Sequence, residues 1–540
     1  MISDLGLSST RLAGPSADGS FGTRLGRLAV RQYALCALVV LLFTAFNAFV
    51  GLGQGRIDDS DEARYGVSAY EMVQNRSFLV TTYAGQPEYW NLKPPLGYWP
   101  MALSFYLFGA SPLTLRLPSA LFAIGTVALT MAFCRRLLNR RVALVAGLIV
   151  ATTFGFFSHH GARSGDLDSA LTFVLLLAIC QIPRLAASSG RVIAFSGLLA
   201  AGFLLKSFAI LPVMIVAAFY LGWTGSWRRL RPLACGAGAA LFVAVVAGWA
   251  LARWQADGTP YFLQRMVGED LFARSLREID KGTTGFWSYA TALLDRFAPW
   301  PLLLVGALFA RGRAGWRRDW ASWSVKGRGA VPLLVLWIAV PLVLFSAART
   351  HHHWYLDPLY PALAAVTACT LLSLLSRISP ARRTLALVGF FLLPLGLCEA
   401  RLLDRVLVRD RMPESQLFLI SLGSRHAELG PEVRAAKPLY HSERFILEAI
   451  DGYRVVDGPG IGPPYGSSPD MPLLARRPGV GQGLQPAPDF EVLAESGIYK
   501  LYGNSNLDLE ALRLRTPKVH PHVRRNLLQR RRGERGLRRS

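Results

Sequence analysis

The sequence predicts an α-helical protein that crosses a membrane many times. Of its 540 residues, 52% are hydrophobic and only 17% are charged, whereas charged residues make up about 25% of an average soluble domain. The hydrophobic residues are concentrated in runs close to the roughly 20 residues that a helix needs to cross a bilayer. We therefore expect about eleven transmembrane helices and, after residue 400, a small soluble α/β domain.

Apolar runs of suitable length define the candidate spans. They lie at approximately 33–51, 112–133, 142–158, 168–186, 192–205, 207–223, 233–252, 286–310, 330–348, 358–376 and 384–400. Lys and Arg fall in alternate connectors, as they do when basic loops stay in the cytoplasm. The segment 94–108 is also apolar, but counting it as a span would move the basic connector 135–141 outside. We predict that it is an interfacial or re-entrant helix.

The net charge of +24 follows from these basic connectors. A strongly basic protein raises nucleic acid as a partner, but no nucleic-acid-binding motif accompanies the charge. The six cysteines lie in or beside apolar runs, without the spacing of a disulfide framework or a metal knuckle. Glycine-rich phosphate-binding fingerprints are also missing from the sequence. Nucleic-acid binding and soluble nucleotide chemistry are therefore unsupported.

Composition divides the chain into four segments. Residues 1–32 form a basic segment on the cytoplasmic side, and no small-residue cleavage site follows the next apolar run, so we expect that span to be retained. Residues 33–400 hold the spans and the long extracytoplasmic loop 52–111. Residues 401–503 contain amphipathic and strand-like pieces, and residues 504–540 form a basic tail suited to anionic headgroups.

The loop after the first span is rich in acidic side chains. Its charged and aromatic residues are Asp58, Asp59, Asp61, Glu62, Arg64 and Tyr65. Four neighbouring carboxylates repel one another, so the cluster indicates a nearby cation or a catalytic role, with a solvated loop as the alternative. Further along, Lys93 precedes two prolines and Tyr98. Proline fixes the backbone direction into an interfacial helix, and aromatic residues suit the headgroup level.

A second cluster lies on the same predicted face of the membrane. Arg163 and Asp168 stand at the entry to the fourth span, where Asp168 is either functional or simply an N-cap. Lys206 follows an apolar run of only 14 residues, which is shorter than a full span. Its charge therefore lies at the membrane surface, where it either binds a phosphate or snorkels to the headgroups.

Two later loops add candidate substrate contacts. The first contains Glu269, Asp270 and Arg274, which a solvated amphipathic helix would also explain. The second contains three consecutive histidines, ending at His353, and then Tyr355. Three consecutive histidines cannot all face one ion from a helix or strand, so we predict contact with a headgroup or substrate phosphate rather than a zinc site.

Together these motifs resemble the GT-C superfamily of glycosyltransferases. The resemblance covers roughly residues 30–400 and is closest to the lipid A aminoarabinose transferases and the protein O-mannosyltransferases. It rests on Asp61-Glu62-Ala63-Arg64-Tyr65, on Lys93-Pro94-Pro95-Leu96-Gly97-Tyr98-Trp99, and on Arg163 with Asp168. It implies a polyprenyl-phosphate-linked sugar donor and transfer with inversion on the periplasmic face of a bacterial inner membrane.

The resemblance also implies roles for individual residues. The loop acid of the family matches Asp61, its phosphate-contacting lysine matches Lys93, and its second acid matches Asp168. Relatives commonly have a metal-binding glutamate immediately before the lysine, where this chain has Leu92. We therefore assign no metal ligands. The cofactor stays unknown, because Leu92 does not support a divalent metal, and the donor sugar stays unassigned.

The resulting prediction is a glycosyltransferase acting on an envelope acceptor, lipid A or another glycan. A carboxylate can take the proton of the acceptor, and cations can stabilise the departing phosphate. The predicted catalytic residues are Asp61, Glu62 and Asp168; the donor-phosphate contacts are Lys93, Arg64, Lys206 and Arg163; the substrate contacts are Tyr65, Tyr98, Glu269, Asp270, Arg274, His353 and Tyr355. The expected partners are the lipid-linked donor, a glycolipid or glycan acceptor and membrane lipids.

Two other functions fit the same features. A protein O-mannosyltransferase-like enzyme would share the donor chemistry and differ in its acceptor. A transporter or flippase of lipid-linked sugars would also have many spans and interfacial cations. Transporters tend to show inverted repeats with polar residues at the membrane midplane, whereas the polar motifs of this sequence cluster at one face, which favours the enzyme.

Overall fold

The computed structural model describes residues 19–158, 160–273, 287–306, 330–435, 439–457, 473–476, 490–496 and 499–504. Arg274, one of the predicted substrate contacts, lies outside these residues, as does the predicted basic tail after 504.

The described chain is mainly helical. Its longer α-helices are Gly19–Phe49, Asp61–Asn75, Trp99–Phe108, Pro112–Leu137, Arg140–Ala151, Asp168–Gln181, Ser189–Lys206, Leu211–Thr224, Pro232–Asp257, Ser288–Arg296, Ala330–Ala347, Tyr360–Arg377, Pro380–Leu387, Leu393–Asp404 and Glu414–Leu422. Several begin at residues that favour helix starts: Ser111 accepts a hydrogen bond from the Thr114 N–H, and Asn139 accepts one from the Val142 N–H.

Shorter helical pieces connect the long ones. The α-helical turns are Phe154–Phe157, Tyr261–Arg265, His426–Leu429 and His441–Arg444. Turns of 3-10 helix occupy Pro95–Gly97, Ile182–Ala187, Ser207–Ile210, Ser226–Arg229, His353–Leu359 and Gly423–Arg425. Turns of π-helix occupy Met266–Ala273, Val388–Leu392, Arg405–Arg409 and Phe445–Ile450.

Among the described residues, eight helical segments are long and apolar enough to cross a membrane. They are Arg31–Phe49, Pro112–Leu137, Asp168–Ala187, Ser189–Thr224, Pro232–Asp257, Ala330–Ala347, His353–Arg377 and Thr384–Arg409. The predicted spans 192–205 and 207–223 fall in one of these segments, which is interrupted at Ser207, where the backbone takes a φ of +44°. The predicted spans 142–158 and 286–310 are not among the eight.

The segment that we predicted to be interfacial is a short helix. Trp99–Phe108 has 10 residues, about 15 Å in length, which is half the thickness of a bilayer core. Trp99, Leu103 and Tyr106 expose 41% to 58% of their surface. Such apolar and aromatic side chains are suited to the surface of a membrane.

A mixed β-sheet follows the last candidate span. Its strands are β3 (Glu432–Ala435), β4 (Arg454–Asp457), β5 (Leu473–Arg476), β6 (Phe490–Ser496) and β7 (Tyr499–Asn504), in the order β4-β3-β5-β7-β6. Strand β3 runs parallel to β4 and β5, and the hairpin of β6 and β7 is antiparallel. Two further short strands, β1 (Thr82–Tyr83) and β2 (Gln86–Pro87), form a hairpin in the first loop.

Two hydrophobic cores organise the molecule. The larger one joins the candidate spans, and the smaller one joins the helix Asp61–Asn75 to the region of the sheet. Within the smaller core, the Phe445 ring lies against Gly66, where a Cβ atom would approach the ring to 2.7 Å. Only glycine fits under the ring at this distance, so the region after the last span packs directly on the acidic loop.

Candidate active site

The four carboxylates of the acidic loop lie at the site, and their surroundings differ. Asp61 is the first residue of the helix Asp61–Asn75, which we call the acid helix, and its partly buried carboxylate faces a cavity. Negative charge is favourable at this end of a helix. Glu62, by contrast, is buried against Arg116, with contacts of 2.6 and 2.9 Å to the guanidinium.

Glu62 also accepts hydrogen bonds from the backbone N–H groups of Asp58 (2.9 Å) and Gly165 (2.8 Å). Each carboxylate oxygen of Glu62 thus has two donors. This arrangement fastens the acidic loop to the loop before Asp168, so Glu62, which we predicted to be catalytic, is placed as a structural link.

Arg64 is turned away from the cavity that Asp61 lines. Its guanidinium pairs with Glu88 at 3.0 Å and lies over the rings of Tyr83 and Trp90. The predicted contact of Arg64 with the donor phosphate therefore has no counterpart in this geometry. Sequence reasoning did not identify Glu88, which pairs with Arg64. The only local feature that could have indicated its role is its proximity to Lys93 in the sequence.

Two tyrosines of the motifs are fully buried. The rings of Tyr65 and Tyr98 meet edge to face, with centroids 5.4 Å apart. Burial raises the pKa of both hydroxyls well above the usual value. Tyr65 lines the same cavity as Asp61, whereas Tyr98 lies in the smaller core. Both hydroxyls therefore stay neutral, and the two rings pack against each other beside the acidic loop.

Arg163 also has a structural role in this arrangement. Its guanidinium donates to the backbone carbonyls of Asn47 and Ala48, in the last turn of the first helix, and of Val50, immediately after it. The last carbonyls of a helix have no partner within the helix. Burial and the neighbouring Arg116 lower the pKa of Arg163 to about 10. Arg163 therefore ties the first helix to the second acidic cluster.

Two lysines pair with carboxylates from distant parts of the chain. The Lys93 Nζ lies 2.6 Å from Asp270, which also accepts a hydrogen bond from Ser207 at 3.1 Å. The Lys206 Nζ lies 2.6 and 2.7 Å from the two oxygens of Asp168. These pairs bring together four connecting segments, those that contain Lys93, Asp168, Lys206 and Asp270.

Both lysines line one cavity of about 720 Å³, which we call the lysine cavity. Its polar end contains Asp58, Asp61, Lys93, His160, Asp168, Lys206, Asp270 and Tyr355. From there it follows the helix Asp168–Gln181 along Leu171, Leu175 and Ile179, about 16 Å at ~1.5 Å per residue. Trp337 and residues of the helix Leu211–Thr224 complete the apolar part. The cavity therefore combines a charged head and an apolar groove.

His160 is a residue of the polar end that we did not predict. It is buried, its ring is stacked on Trp354 with centroids 3.7 Å apart, and its Nδ1 lies 3.2 Å from Asp166. Burial alone would lower its pKa, but the carboxylates of Asp166 and Asp168 raise the pKa of His160 to about 9. In the sequence, a histidine at the end of an apolar run reads as an ordinary interfacial residue.

One group of side chains has the composition of a metal site. The ligand atoms of Asp61, His160 and Asp166 all lie within 4.8 Å of one another. Leu92, at the position where the resemblance places a metal-binding glutamate, is buried and contributes an apolar wall to the lysine cavity. Any ion would therefore require ligands other than those implied by the resemblance.

A second cavity, of about 560 Å³, reaches the acidic loop from other helices. We call it the arginine cavity. Its charged lining residues are Arg56, Arg116, Arg163, Arg296, Arg401, Arg405, Arg409, Asp58, Glu62, Asp295, Asp404 and Asp410. Asp58 lines both cavities, so they meet at the acidic loop.

The other predicted contacts divide between the cavity and the surface. Tyr355 lines the lysine cavity, as does His352, the middle histidine of the three. His353 packs edge to face on Trp354. Glu269 pairs with Arg265 and leaves 44% of its side chain exposed, as a solvated helix would.

Comparison with known proteins identifies the family. Residues 92–251 match the family of dolichyl-phosphate-mannose-protein mannosyltransferases. The undecaprenyl phosphate-alpha-4-amino-4-deoxy-L-arabinose arabinosyl transferase of Pseudomonas aeruginosa (strain UCBPP-PA14) is 30% identical over 406 residues, which are 71% of this chain and 68% of the relative. The chain belongs to the glycosyltransferase family of these arabinosyl transferases. The resemblance predicted from the motifs is thus confirmed.

Further relatives and solved structures differ in how much of their length is matched. The transferase of the same description from Edwardsiella ictaluri is 29% identical over 318 residues, and the chain spans only 54% of that relative. Among solved structures, ArnT from Cupriavidus metallidurans bound to undecaprenyl phosphate superposes with a TM-score of 0.63 at 18% identity, over 89% of this chain and 98% of that one. The apo form of the same protein gives 0.62 at 20% identity. The family fold therefore extends over most of the chain.

Proposed function

We propose that this family member transfers a sugar from a polyprenyl-phosphate donor to an anionic glycolipid such as lipid A. The observation that carries the proposal is the lysine cavity, where Lys93 and Lys206 stand at the head of an apolar groove. A lipid-linked sugar needs both parts, because its phosphate is charged and its polyprenyl chain is insoluble in water. The related ArnT structure is bound to undecaprenyl phosphate, in agreement with this choice of donor.

The acid helix supplies the base. In the proposed step, Asp61 takes the proton of the acceptor hydroxyl while the hydroxyl oxygen forms a bond to the anomeric carbon. The bond between that carbon and the phosphate oxygen breaks, and the lipid phosphate leaves with the electron pair. Lys93 and Lys206 stabilise the charge on the leaving phosphate, and Asp168 holds Lys206 in place at 2.6 Å. A single displacement of this kind inverts the anomeric carbon.

The arginine cavity is suited to the acceptor. Inversion requires the acceptor and the leaving phosphate to lie on opposite sides of the anomeric carbon. The two cavities reach the acidic loop from different helices and meet at Asp58, which would allow this arrangement. Guanidinium groups bind phosphate well, so a phosphorylated sugar headgroup is the proposed occupant.

The topology of the protein is part of the proposal. We retain eleven spans, with the basic connectors in the cytoplasm. The acidic loop and residues 401–503 then lie on the periplasmic side of the inner membrane. Labelling of single cysteines introduced into the loop 52–111 and into the connector 135–141, with a reagent that cannot cross the membrane, would contradict this topology if both or neither reacted.

Replacement of Asp61 by Asn tests the function. The variant keeps the size of the side chain but loses the base, so transfer should fall by about 10²–10⁴-fold while expression and membrane insertion stay unchanged. The assay uses purified protein, a labelled undecaprenyl-phosphate-linked aminosugar and lipid A. Glu432→Gln is the matched control, because Glu432 is a partly exposed residue of β3 that pairs with Arg454 and lines neither cavity.

The same assay separates the proposed enzyme from its rivals. Activity of Asp61→Asn near that of the wild type would refute the assignment of the base. Transfer to a peptide hydroxyl but not to lipid A would favour the O-mannosyltransferase-like function, consistent with the family matched by residues 92–251. Movement of the labelled lipid across vesicles without any transfer would favour a flippase.

A further inference from the structure

We propose that two neighbouring helical hairpins of this chain bind one anionic phospholipid whose headgroup carries two phosphates, as that of cardiolipin does. We call residues 168–206 the first hairpin and residues 211–257 the second hairpin. The binding site lies at the end of the membrane helices opposite to the polar end of the lysine cavity. The binding does not depend on the proposed function, because neither the sugar donor nor the acceptor takes part in it.

The first hairpin fixes the position of the site. Its first residue, Asp168, lies 2.6 Å from its last residue, Lys206, and its two helical segments pack against each other, so they run antiparallel. Arg184 lies in the turn between the two segments, and Arg191 lies in the first turn of the second segment. At ~1.5 Å per residue, both arginines are about 22–24 Å from the pair of Asp168 and Lys206.

The second hairpin brings three further arginines to the same end. Arg228 and Arg229 lie in its turn of 3-10 helix, and Arg231 immediately precedes its returning helix. This turn packs against the turn Ile182–Ala187 of the first hairpin, and the returning helix packs along the second segment of the first hairpin. The five arginines therefore lie at one end of the paired hairpins.

The charges of these arginines are not balanced within the two hairpins. Residues 169–256 contain neither Asp nor Glu, and none of the five arginines pairs with a carboxylate in the part of the chain that the structure describes. Four of the five are exposed, and the fifth, Arg191, is half-buried and donates to the side chain of Gln181 at 3.1 Å. Such a cluster favours an anionic ligand, and guanidinium groups bind phosphate with two parallel hydrogen bonds.

The apolar residues beside the arginines indicate a lipid. Trp223 and Trp227 expose 57% and 56% of their surface, and the Arg228 guanidinium lies 5.5 Å from the centre of the Trp227 ring. Near the starts of the helices that follow the two turns, Ile193 and Leu233 expose 37% and 87%. Tryptophan is suited to the headgroup level of a membrane, and the exposed aliphatic side chains can contact acyl chains.

The division of the arginines between two turns selects the headgroup. Arg184 and Arg191 belong to the first hairpin, and the other three arginines belong to the second. A headgroup with two phosphates supplies one phosphate to each group, whereas a single phosphate would leave one group of like charges without a counter-charge. Basic pockets between membrane helices bind the headgroups of cardiolipin in this way.

The bound lipid would join two walls of the lysine cavity. The first hairpin contributes Leu171, Leu175 and Ile179 to the apolar part of the cavity, and the second contributes Val213 and Val216. A lipid that links the turns of both hairpins would therefore hold these walls together without entering the cavity.

Lipid binding to the full-length protein in detergent tests the site. Native mass spectrometry with added cardiolipin should show about one tightly bound cardiolipin per wild-type chain. The triple variant Arg228→Gln/Arg229→Gln/Arg231→Gln should bind cardiolipin about 10–100-fold more weakly, because charge-assisted hydrogen bonds are lost. Arg184→Gln changes a single exposed residue of the other turn and should weaken binding about tenfold.

A triple variant at another turn is the matched control. Arg135→Gln/Arg136→Gln/Arg140→Gln removes the same number of charges from the turn that follows the helix containing Ser119. Because Ser119 contacts Ser169, this turn lies at the same end of the membrane helices. It belongs to one hairpin only, and the two helices that it joins contain no tryptophan. The control should bind cardiolipin like the wild type.

Three results would overturn the proposal. Equal losses of affinity in the two triple variants would show a general attraction between the lipid and positive charge. Equal affinity for phosphatidylglycerol, which carries one phosphate, would exclude the headgroup with two phosphates. A wild-type protein that retained no cardiolipin would exclude the site. Because no sugar donor or acceptor is present, none of these results bears on the proposed transfer.

Discussion

At the scale of single residues, four neighbouring carboxylates have acquired four different surroundings. Asp58 lies where the two cavities meet, and Asp59 accepts hydrogen bonds from the backbone and hydroxyl of Ser442 at 2.8 and 2.9 Å. Asp61 faces the lysine cavity, and Glu62 is neutralised by Arg116. Electrostatic repulsion within the cluster is thus relieved by the separate surroundings of the four carboxylates, and Asp61 is the one that we propose as the base.

Lys93 provides a prediction at this scale. Lys93→Ala removes a cation from the polar end and leaves Asp270 without its 2.6 Å contact. A charge-assisted hydrogen bond contributes about 1.5–3 kcal/mol, so the KM for the donor should rise about 10–100-fold. The measurement is the initial rate against donor concentration at saturating acceptor.

Arg265→Ala is the control for Lys93, since its pair with Glu269 is exposed and exposed pairs contribute little. The double variant Lys93→Ala/Asp270→Ala shows whether the effect arises from the lost cation or from the stranded carboxylate. An unchanged donor KM in both variants would exclude a phosphate role for Lys93.

At the scale of elements, the acid helix is clamped by the region that follows the last span. His441 contacts the Tyr83 hydroxyl at 2.6 Å and Arg64 at 3.4 Å, and Phe445 covers Gly66. A helix whose first residue is the proposed base is therefore held by side chains that follow the last candidate span. This contact assigns residues 441–445 a positioning role.

The clamp should depend on pH. Burial, and then the charge of Arg64, lower the pKa of His441 below its usual 6.5. The unfolded chain binds the proton more readily than the folded one, so the stability that neutral His441 contributes is lost as pH falls below about 6.5. Thermal unfolding of the wild type between pH 7.5 and 5.5 should show this loss.

His441→Gln is the informative variant, because it can still form a hydrogen bond but does not titrate. Its melting temperature should fall less between the two pH values than that of the wild type. Asp59, Glu88 and Arg444 also face His441 and are retained in both proteins. Equal decreases in the two proteins would refute the role of His441.

Sequence reasoning identified four charged residues that share one cavity, but it did not predict the contacts of the arginines. Asp61, Lys93, Asp168 and Lys206 were predicted because charged residues at span ends are costly without a role, and all four line one cavity. Arg163 and Arg64 were assigned to phosphate, but they bind backbone carbonyls and Glu88 instead. Residue type and topology predict on which face of the membrane a charged side chain lies. The partner of that side chain depends on packing between segments that are far apart in sequence.

At the scale of the whole molecule, two cavities of different character converge on one loop. The lysine cavity is largely apolar beyond its head, and the arginine cavity is lined by charged groups. Such a division matches a reaction between two amphipathic substrates that must not compete for one site.

Substitution in the arginine cavity should separate the two substrates. Arg56→Ala removes an exposed guanidinium of the lining. We expect the KM for lipid A to rise about 10-fold, because one charge-assisted contact is lost, with the donor KM unchanged. Arg454→Ala, on β4 and 79% exposed, is the control, and a rise in the donor KM alone would contradict the assignment.

The contact of Arg163 with the first helix also bears on how the protein is made. Val50 is translated 113 residues before the arginine that binds its carbonyl. When the first helix is made, the carbonyls at its C-terminal end therefore still lack the arginine. They gain this partner only after the following helices have been translated. Because the same loop carries His160, Asp166 and Asp168, these side chains reach the end of the first helix when less than a third of the chain has been translated.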